Sequence, residues 1–236
     1  MAGLLSIIVA ALVLGQMYQY FARQQLIKNE ERHNAELTQY FSAIVWPRFD
    51  DHLSSLNGAG RDEIQNSRDN HVLHALVLEQ LRRSRILKIK IFNIDGLTVY
   101  STDQTQLGTH KAGYPGFEAA KRGATTSHLS FRDTFFAHAN DTELLDRELL
   151  SSYVPVYDNG GRVTAVLELY NDVTPLMKEI DQGRTQLVLA TVAVMLLLYS
   201  VLFFIIKRAD NILLEHRQLQ LDNERQIQHQ ANHDAL

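Results

Sequence analysis

The chain has 236 residues, a formal charge of −4 and no cysteine. That charge balance gives no reason to expect nucleic-acid binding. The missing thiols exclude disulfides, thiolate metal sites, thiol nucleophiles and CxxCH haem attachment.

Gly3 to Ala22 carries no charged side chain, is apolar through Met17, and then passes Tyr18 and Tyr20, amphipathic residues suited to a membrane interface. A cleaved signal peptide is the rival reading, but the run lacks a basic n-region and a clear small-x-small cleavage site. Residues 1–23 are therefore expected to form a retained transmembrane helix.

From Arg23 to about Leu56 the pattern is helical, with Leu26, Ile27, Leu37, Phe41, Ile44 and Val45 as its apolar positions. Pro47 is expected to kink or end this stalk, because proline removes a helix hydrogen bond and crowds the preceding turn. Asn57-Gly58-Ala59-Gly60 is a break. A second helix is predicted from about Asp62 to Arg83, with a stripe at Val72, Leu73, Leu76, Val77, Gln80 and Leu81.

At Ile86 the period changes to two: Leu87, Ile89 and Ile91 alternate with Lys88, Lys90 and Phe92, as in a strand. Asn93-Ile94-Asp95-Gly96 supplies a hairpin turn into a return strand over Leu97 to Ser101. Tyr114 to Arg122 reads as a short helix closed by Gly123, and Thr125 to Arg132 as a third strand. Leu149 to Tyr157, a turn at Asp158-Asn159-Gly160-Gly161, and Arg162 to Tyr170 form a second hairpin. Tyr153, Val156, Val163, Val166 and Leu169 are expected to pack one side of the sheet. The sum is an α+β fold: a helical stalk over 24–85, then a five-stranded antiparallel sheet over 86–172.

Thr174 is suited to a helix N-cap and Pro175 to the first helical position. The helix starting there can run into Leu187–Ile206, twenty residues without a charge that end at Lys207 and Arg208. At ~1.5 Å per residue, such a run spans roughly 30 Å, the thickness of a bilayer's hydrocarbon core. Gly183 is its weak point. Residues 183–207 are expected to form the second transmembrane helix. Lys207, Arg208, Arg217 and Arg225 beyond it, against Lys178 and Arg184 before it, favour a cytoplasmic C-terminus, although Arg23, Lys28 and Arg32 after the first span argue the other way. The second span is followed, which leaves 24–182 on the outer side and 208–236 as a cytoplasmic linker helix. Leu214 and Leu221 lie seven apart there, but Arg217 and Glu224 spoil the seam, so pairing should be weak or switchable.

Two stretches carry a family resemblance. Lys90-Ile-Phe-Asn-Ile-Asp-Gly-Leu-Thr-Val-Tyr-Ser-Thr-Asp103 with Gln106-Leu-Gly108, and Glu168-Leu-Tyr-Asn-Asp-Val-Thr-Pro175, resemble a PAS-like extracytoplasmic sensor domain of the Cache type over residues 24–182. The turn at Asp172-Val173-Thr174 is similar to the junction by which PAS-like domains pass to a signalling helix, so Asp172, Thr174 and Pro175 form the expected signal junction. Ala231-Asn-His-Asp-Ala-Leu236 resembles the start of a GGDEF diguanylate cyclase domain, where such a run continues into "TGL". The resemblance implies a homodimeric receptor in a bacterial inner membrane, with a periplasmic sensor domain, that controls cyclic-di-GMP synthesis through a catalytic domain absent from these residues.

In this fold class a ligand cavity would lie between the sheet and the segment from Thr102 to Gly123. Tyr100, Ser101, Tyr114, Phe117, His128, Phe131, Arg132, Tyr153 and Glu168 are its candidate lining, for a small molecule such as an organic acid or amino acid. Arg132 is the best anchor, since a guanidinium binds a carboxylate bidentately; a salt bridge to Asp133 or another acid is the plainer role. For the aromatics, core packing outweighs ligand contact.

His71 and His74 share a helix face and begin a zinc or copper set, and Asp50-Asp51-His52 is a second cluster, but neither is complete and a solvated surface explains both better. His128 or His138 would serve a pH switch. No GxSxG, HExxH or Walker-A pattern is present, and nothing brings Asp103, Asp133 and Asp141 together as paired acids. Neither catalysis nor a cofactor is expected of these residues. The competing reading is a ligand-free module that dimerises or docks a periplasmic protein.

Overall fold

A computed structural model describes residues 2–56, 58–82, 84–137, 142–158 and 160–233. Asn57, Arg83, His138, Asp141, Asn159 and the last three residues of the 231–236 segment lie outside them, as do the side chains of Asp50, Asp51 and residues 210–233. The described chain contains α1 (Ala2–Ser55), α2 (Arg61–Asn66), α3 (Arg68–Leu81), β1 (Ile86–Asn93), β2 (Thr98–Ser101), a 3-10 turn (Gln104–Gln106), α4 (Pro115–Lys121), β3 (Thr126–Ala137), β4 (Thr142–Tyr157), β5 (Val163–Asp172) and α5 (Thr174–His233). It divides into two compact units, 19–182 and 1–18 with 183–236.

In the larger unit the five strands pair antiparallel in the order β2-β1-β5-β4-β3, which is the α+β fold expected. Strand β1 leaves through the Asn93–Gly96 turn, where Gly96 has φ +87° and its N–H donates to the Asn93 carbonyl at 3.0 Å. A Cβ at Gly96 would lie 2.6 Å from the Ala112 nitrogen, so the turn needs glycine for both its backbone and its neighbour.

Alternation along the strands separates two cores. One face packs Ile89, Ile91, Tyr100, Val154, Leu167 and Leu169 against Phe49 and Leu53 of α1 and Leu73 and Val77 of α3. The other gathers Phe92, Phe117, Ala120, Tyr153 and Val166 beneath α4. Tyr153 and Val166 therefore do not share a face with Val156 and Leu169, as the sequence reading had it.

Three boundaries also differ from expectation. α1 runs through Pro47, because Phe49, Leu53 and Leu56 just beyond it are buried against the sheet domain and outweigh the lost hydrogen bond. The second helix is split at Ser67 (φ −66°, ψ 132°), where the Ser67 hydroxyl meets His52 Nε2 of α1 at 3.3 Å. The β3–β4 hairpin extends past Arg132 to Ala137 and begins again at Thr142, paired from Thr126↔Tyr153 to Ala137↔Thr142. As expected, α5 runs on through Gly183 into the apolar stretch.

In the smaller unit, glycines make room for close helix approach. A Cβ at Gly183 would stand 2.5 Å from the Tyr18 hydroxyl, and one at Gly15 would stand 2.7 Å from Val188 Cγ2. Both α1 and α5 contain a stretch long and apolar enough to cross a membrane. On α5, Leu189, Leu197 and Phe204 are turned outward rather than packed inside, as a helix in contact with lipid requires.

Candidate functional site

Sheet register sets a polar row across the face beneath α4. Ser101 pairs with Lys90, Lys90 with Glu168, Glu168 with Tyr153, and Tyr153 with Thr126, one residue from each strand in order. The adjacent row is Lys88, Tyr170, Ser151 and His128. Glu168 has no exposed surface. Its Oε1 accepts from the Tyr170 hydroxyl at 2.8 Å and lies 4.0 Å from Lys111 Nζ, while Lys90 Nζ is 3.5 Å from Oε2. Among the described residues, Oε2 has only the Lys90 ammonium and, more weakly, the Tyr153 phenol as partners.

A second buried pair lies nearby. Lys88 Nζ is 3.2 Å from Asp103 Oδ2 and 4.8 Å above the Phe135 ring. Asp103 Oδ1 in turn takes the Thr105 N–H at 3.1 Å, which ties the pair to the turn after β2. Among the described residues, three lysines (88, 90 and 111) thus face two carboxylates (103 and 168) on this side of the sheet.

That excess of positive charge has electrostatic consequences. Burial pushes the Lys90 ammonium below the usual lysine range; Glu168 opposes the shift, and Lys111 and Lys88 reinforce it. Burial also pushes the Tyr153 and Tyr170 phenols well above their ordinary value, with the Glu168 charge adding to both. Arg132 acts on Tyr170 in the opposite sense, so its charge reaches this cluster although its side chain is exposed.

The cover is built around close contacts. Gly116 on α4 sits against Tyr153; a Cβ there would fall 2.4 Å from Tyr153 Cδ2. Phe117 is fully buried and meets Phe92 edge to face with ring centres 5.8 Å apart. Tyr114 is half exposed at the rim, with the Lys111 ammonium 4.0 Å from its ring centre.

The structure therefore brings Glu168, Tyr153 and Ser101 into one row, with Phe117 above it and Tyr114 at its rim. The Ser101 hydroxyl is engaged by the Asp103 N–H at 3.0 Å. His128 lies in the adjacent row and is exposed, as are Phe131 and Arg132. Tyr100 belongs elsewhere: it is buried on the opposite face, its hydroxyl 3.2 Å from His74 Nδ1, because its position in β2 has the other parity. His74 is thereby part of a side-chain network with Tyr100 and Gln104, and no cluster of three or more metal-ligating side chains occurs among the described residues. Lys88, Lys90, Lys111, Asp103 and Tyr170 were missing from the sequence-based set. Two lysines at alternate positions in an apolar strand, with Glu168 at the matching parity of its partner strand, were the available signal.

At the exit, Asp172 rather than Thr174 caps α5: its Oδ1 accepts the Thr174 N–H at 3.0 Å. The Thr174 hydroxyl accepts the Glu148 N–H of β4 at 2.9 Å, and Arg147 reaches Asp172 at 3.2 Å. Pro175 follows inside the first turn. A buried polar strip on α1 meets the same end of the sheet. Asn34 donates to Ser152 at 2.8 Å, and Asn171 Nδ2 reaches Asn34 Oδ1 at 3.0 Å and Glu30 Oε2 at 3.3 Å.

No family model and no curated protein matches this chain. Among solved structures, the E. coli DcuS sensor domain is 15% identical, with 46% of this chain and 72% of that one covered and a TM-score of 0.33. The sensor domain of the V. cholerae histidine kinase DctB is 12% identical, covering 68% and 61%, with a TM-score of 0.38. A sensory box sensor histidine kinase from Vibrio cholerae is 14% identical, covering 45% and 98%, with a TM-score of 0.28.

Proposed function

We propose that this chain is a transmembrane signal-sensing module whose sheet domain binds a small carboxylate-bearing molecule outside the cytoplasm. One observation carries this reading. Glu168 is completely buried between Lys90 and Lys111, yet among the described residues its Oε2 has only the Lys90 ammonium and, more weakly, the Tyr153 phenol as partners, on a strand that passes within four residues to the Asp172–Thr174 junction. An amino acid or hydroxy acid answers both needs. Its carboxylate meets the surplus positive charge of Lys111 and Arg132, and its N–H or O–H donates to Glu168 Oε2. Binding would favour one setting of β5, and α5 would carry a small piston, tilt or rotation across the membrane to an output domain. The ligand can shift that equilibrium only by its differential affinity for the two settings.

The test is a panel of organic acids and amino acids added to the full chain in nanodiscs. A specific ligand at about a hundred times its Kd stabilises by about 2.7 kcal/mol, read as a rise in Tm. The rise should vanish in Lys111→Met and shrink in Arg132→Gln. A panel in which no compound raises the Tm counts against the proposal. The resemblance at Ala231–Leu236 makes a diguanylate cyclase the proposed output and these residues its non-catalytic, homodimeric input. Sequencing the continuation checks this, and a run without a TGL-like start sinks it.

A ligand-free docking module is the second reading. It is favoured by the β3–β4 hairpin, where Phe131, Phe136 and Leu145 are more than half exposed. A stable partner lost on Phe136→Ser, with no metabolite response, would decide for it.

A further inference from the structure

The face of the sheet opposite Glu168 holds a separate cavity of about 250 Å³ between α1, α3 and strands β1 and β5. The space is open on one side, where Tyr40 and Leu76 are exposed, so it is a pocket with a mouth rather than a sealed void in the core. Its floor is Ile86, Ile89, Leu167 and Leu169, all buried, and Leu37 and Phe41 of α1 form one wall. Among the described residues, no charged side chain lines it. The polar groups are at the rim: Tyr40, Gln80 and Ser84. The Ser84 hydroxyl is already engaged, donating to the Leu81 carbonyl and accepting from the Ile86 N–H.

We propose that this cavity is a second binding site, for an uncharged, largely apolar small molecule with at most one hydroxyl or carbonyl at its outer end. An ion placed here would lose its hydration with no opposite charge to replace it. An apolar chain or ring loses nothing, and the Tyr40 phenol and Gln80 amide can meet one polar atom at the mouth. A net-neutral lining also separates this site from the cation-rich face in ligand class. The two sites stand back to back. Ile89, Leu167 and Leu169 point into the cavity, while Lys90, Glu168 and Tyr170 of the same strands point the other way. An occupant would be wedged between α1 and β5, so the two sites act on shared strands and any coupling between them is reciprocal.

The experiment uses the full chain in nanodiscs with ¹³C-labelled Ile and Leu methyl groups, titrated with 1-hexanol and, separately, with hexanoate. Hexanol should shift the Ile86, Ile89, Leu167 and Leu169 methyl resonances saturably, and hexanoate should bind at least tenfold more weakly. Leu169→Phe and Leu37→Phe, which fill the cavity from opposite sides, should each abolish the saturable shift while the remaining methyl spectrum stays dispersed. Saturation that survives in both filled variants, equal binding of hexanoate, or no saturation in the natural chain would overturn the assignment. So would resonances that move on dilution alone, since a second copy of the chain would then cover the opening.

Discussion

A carboxylate with no exposed surface needs compensation, and Glu168 takes it from Lys90, Lys111 and the Tyr170 hydroxyl. Removing one member of a buried pair strands the other, at a cost of about 3–5 kcal/mol, whereas replacing both with apolar groups of similar volume is often neutral. Glu168→Gln should therefore lower thermal stability sharply, and the Lys90→Met/Glu168→Leu double variant should recover most of the loss. If the recovered double variant bound a carboxylate ligand as tightly as the natural chain, Glu168 would not be one of the ligand's contacts. Gly116→Ala forces a Cβ onto the Tyr153 ring and should cost about 1–3 kcal/mol in denaturant unfolding. Buried phenols give a pH dependence of known sign. Tyr100, Tyr153 and Tyr170 all have folded pKa values raised by burial, so their contribution is intact below about pH 10 and is lost as pH climbs beyond it. Phenolate absorbance should show these three hydroxyls ionising only as the chain unfolds. Lys90 has the opposite sign: its depressed pKa is a cost at neutral pH that is relieved as pH rises through the folded value.

At the scale of elements, the splice between β5 and α5 is tied to β4 by Thr174 and Arg147 as well as being continuous in sequence. Thr174→Val keeps the shape but removes the acceptor for the Glu148 N–H. It should cost about 1 kcal/mol and weaken any ligand-dependent change reported by a spin-label pair spanning the junction, with ligand affinity unchanged. A variant with full transmission would show that chain continuity alone carries the signal. The first hairpin was legible because Asp95-Gly96 is a strong local turn signal between alternating strands. The reach of β3 and β4 was not, because residues 131–136 and 143–148 are largely exposed and lack clean alternation, and only cross-strand pairing holds them extended. Pro47 does not end the helix for a related reason: a local penalty is outweighed by burial of Phe49 and Leu53 against residues distant in sequence.

For the whole molecule, the membrane reading predicts that the full chain stays with the membrane pellet through an alkaline carbonate wash and is released by detergent. Single cysteines placed between residues 24 and 182 should react with an impermeant maleimide on intact spheroplasts. Release by carbonate, or labelling only after lysis, would contradict the topology. The sequence by itself determined what depends on local pattern and composition: two long apolar helices, the strand and hairpin sites, the α+β class, and Glu168 and Tyr153 among the candidates. Helix period, strand parity and turn chemistry all act over a few residues. Tertiary structure alone decided the strand order, the pairing of Lys90, Lys111 and Tyr170 around Glu168, the removal of Tyr100 to the other face, and the apolar cavity behind the same strands. Each of these depends on register between segments far apart in the chain, where a shift of one residue would reverse every side chain.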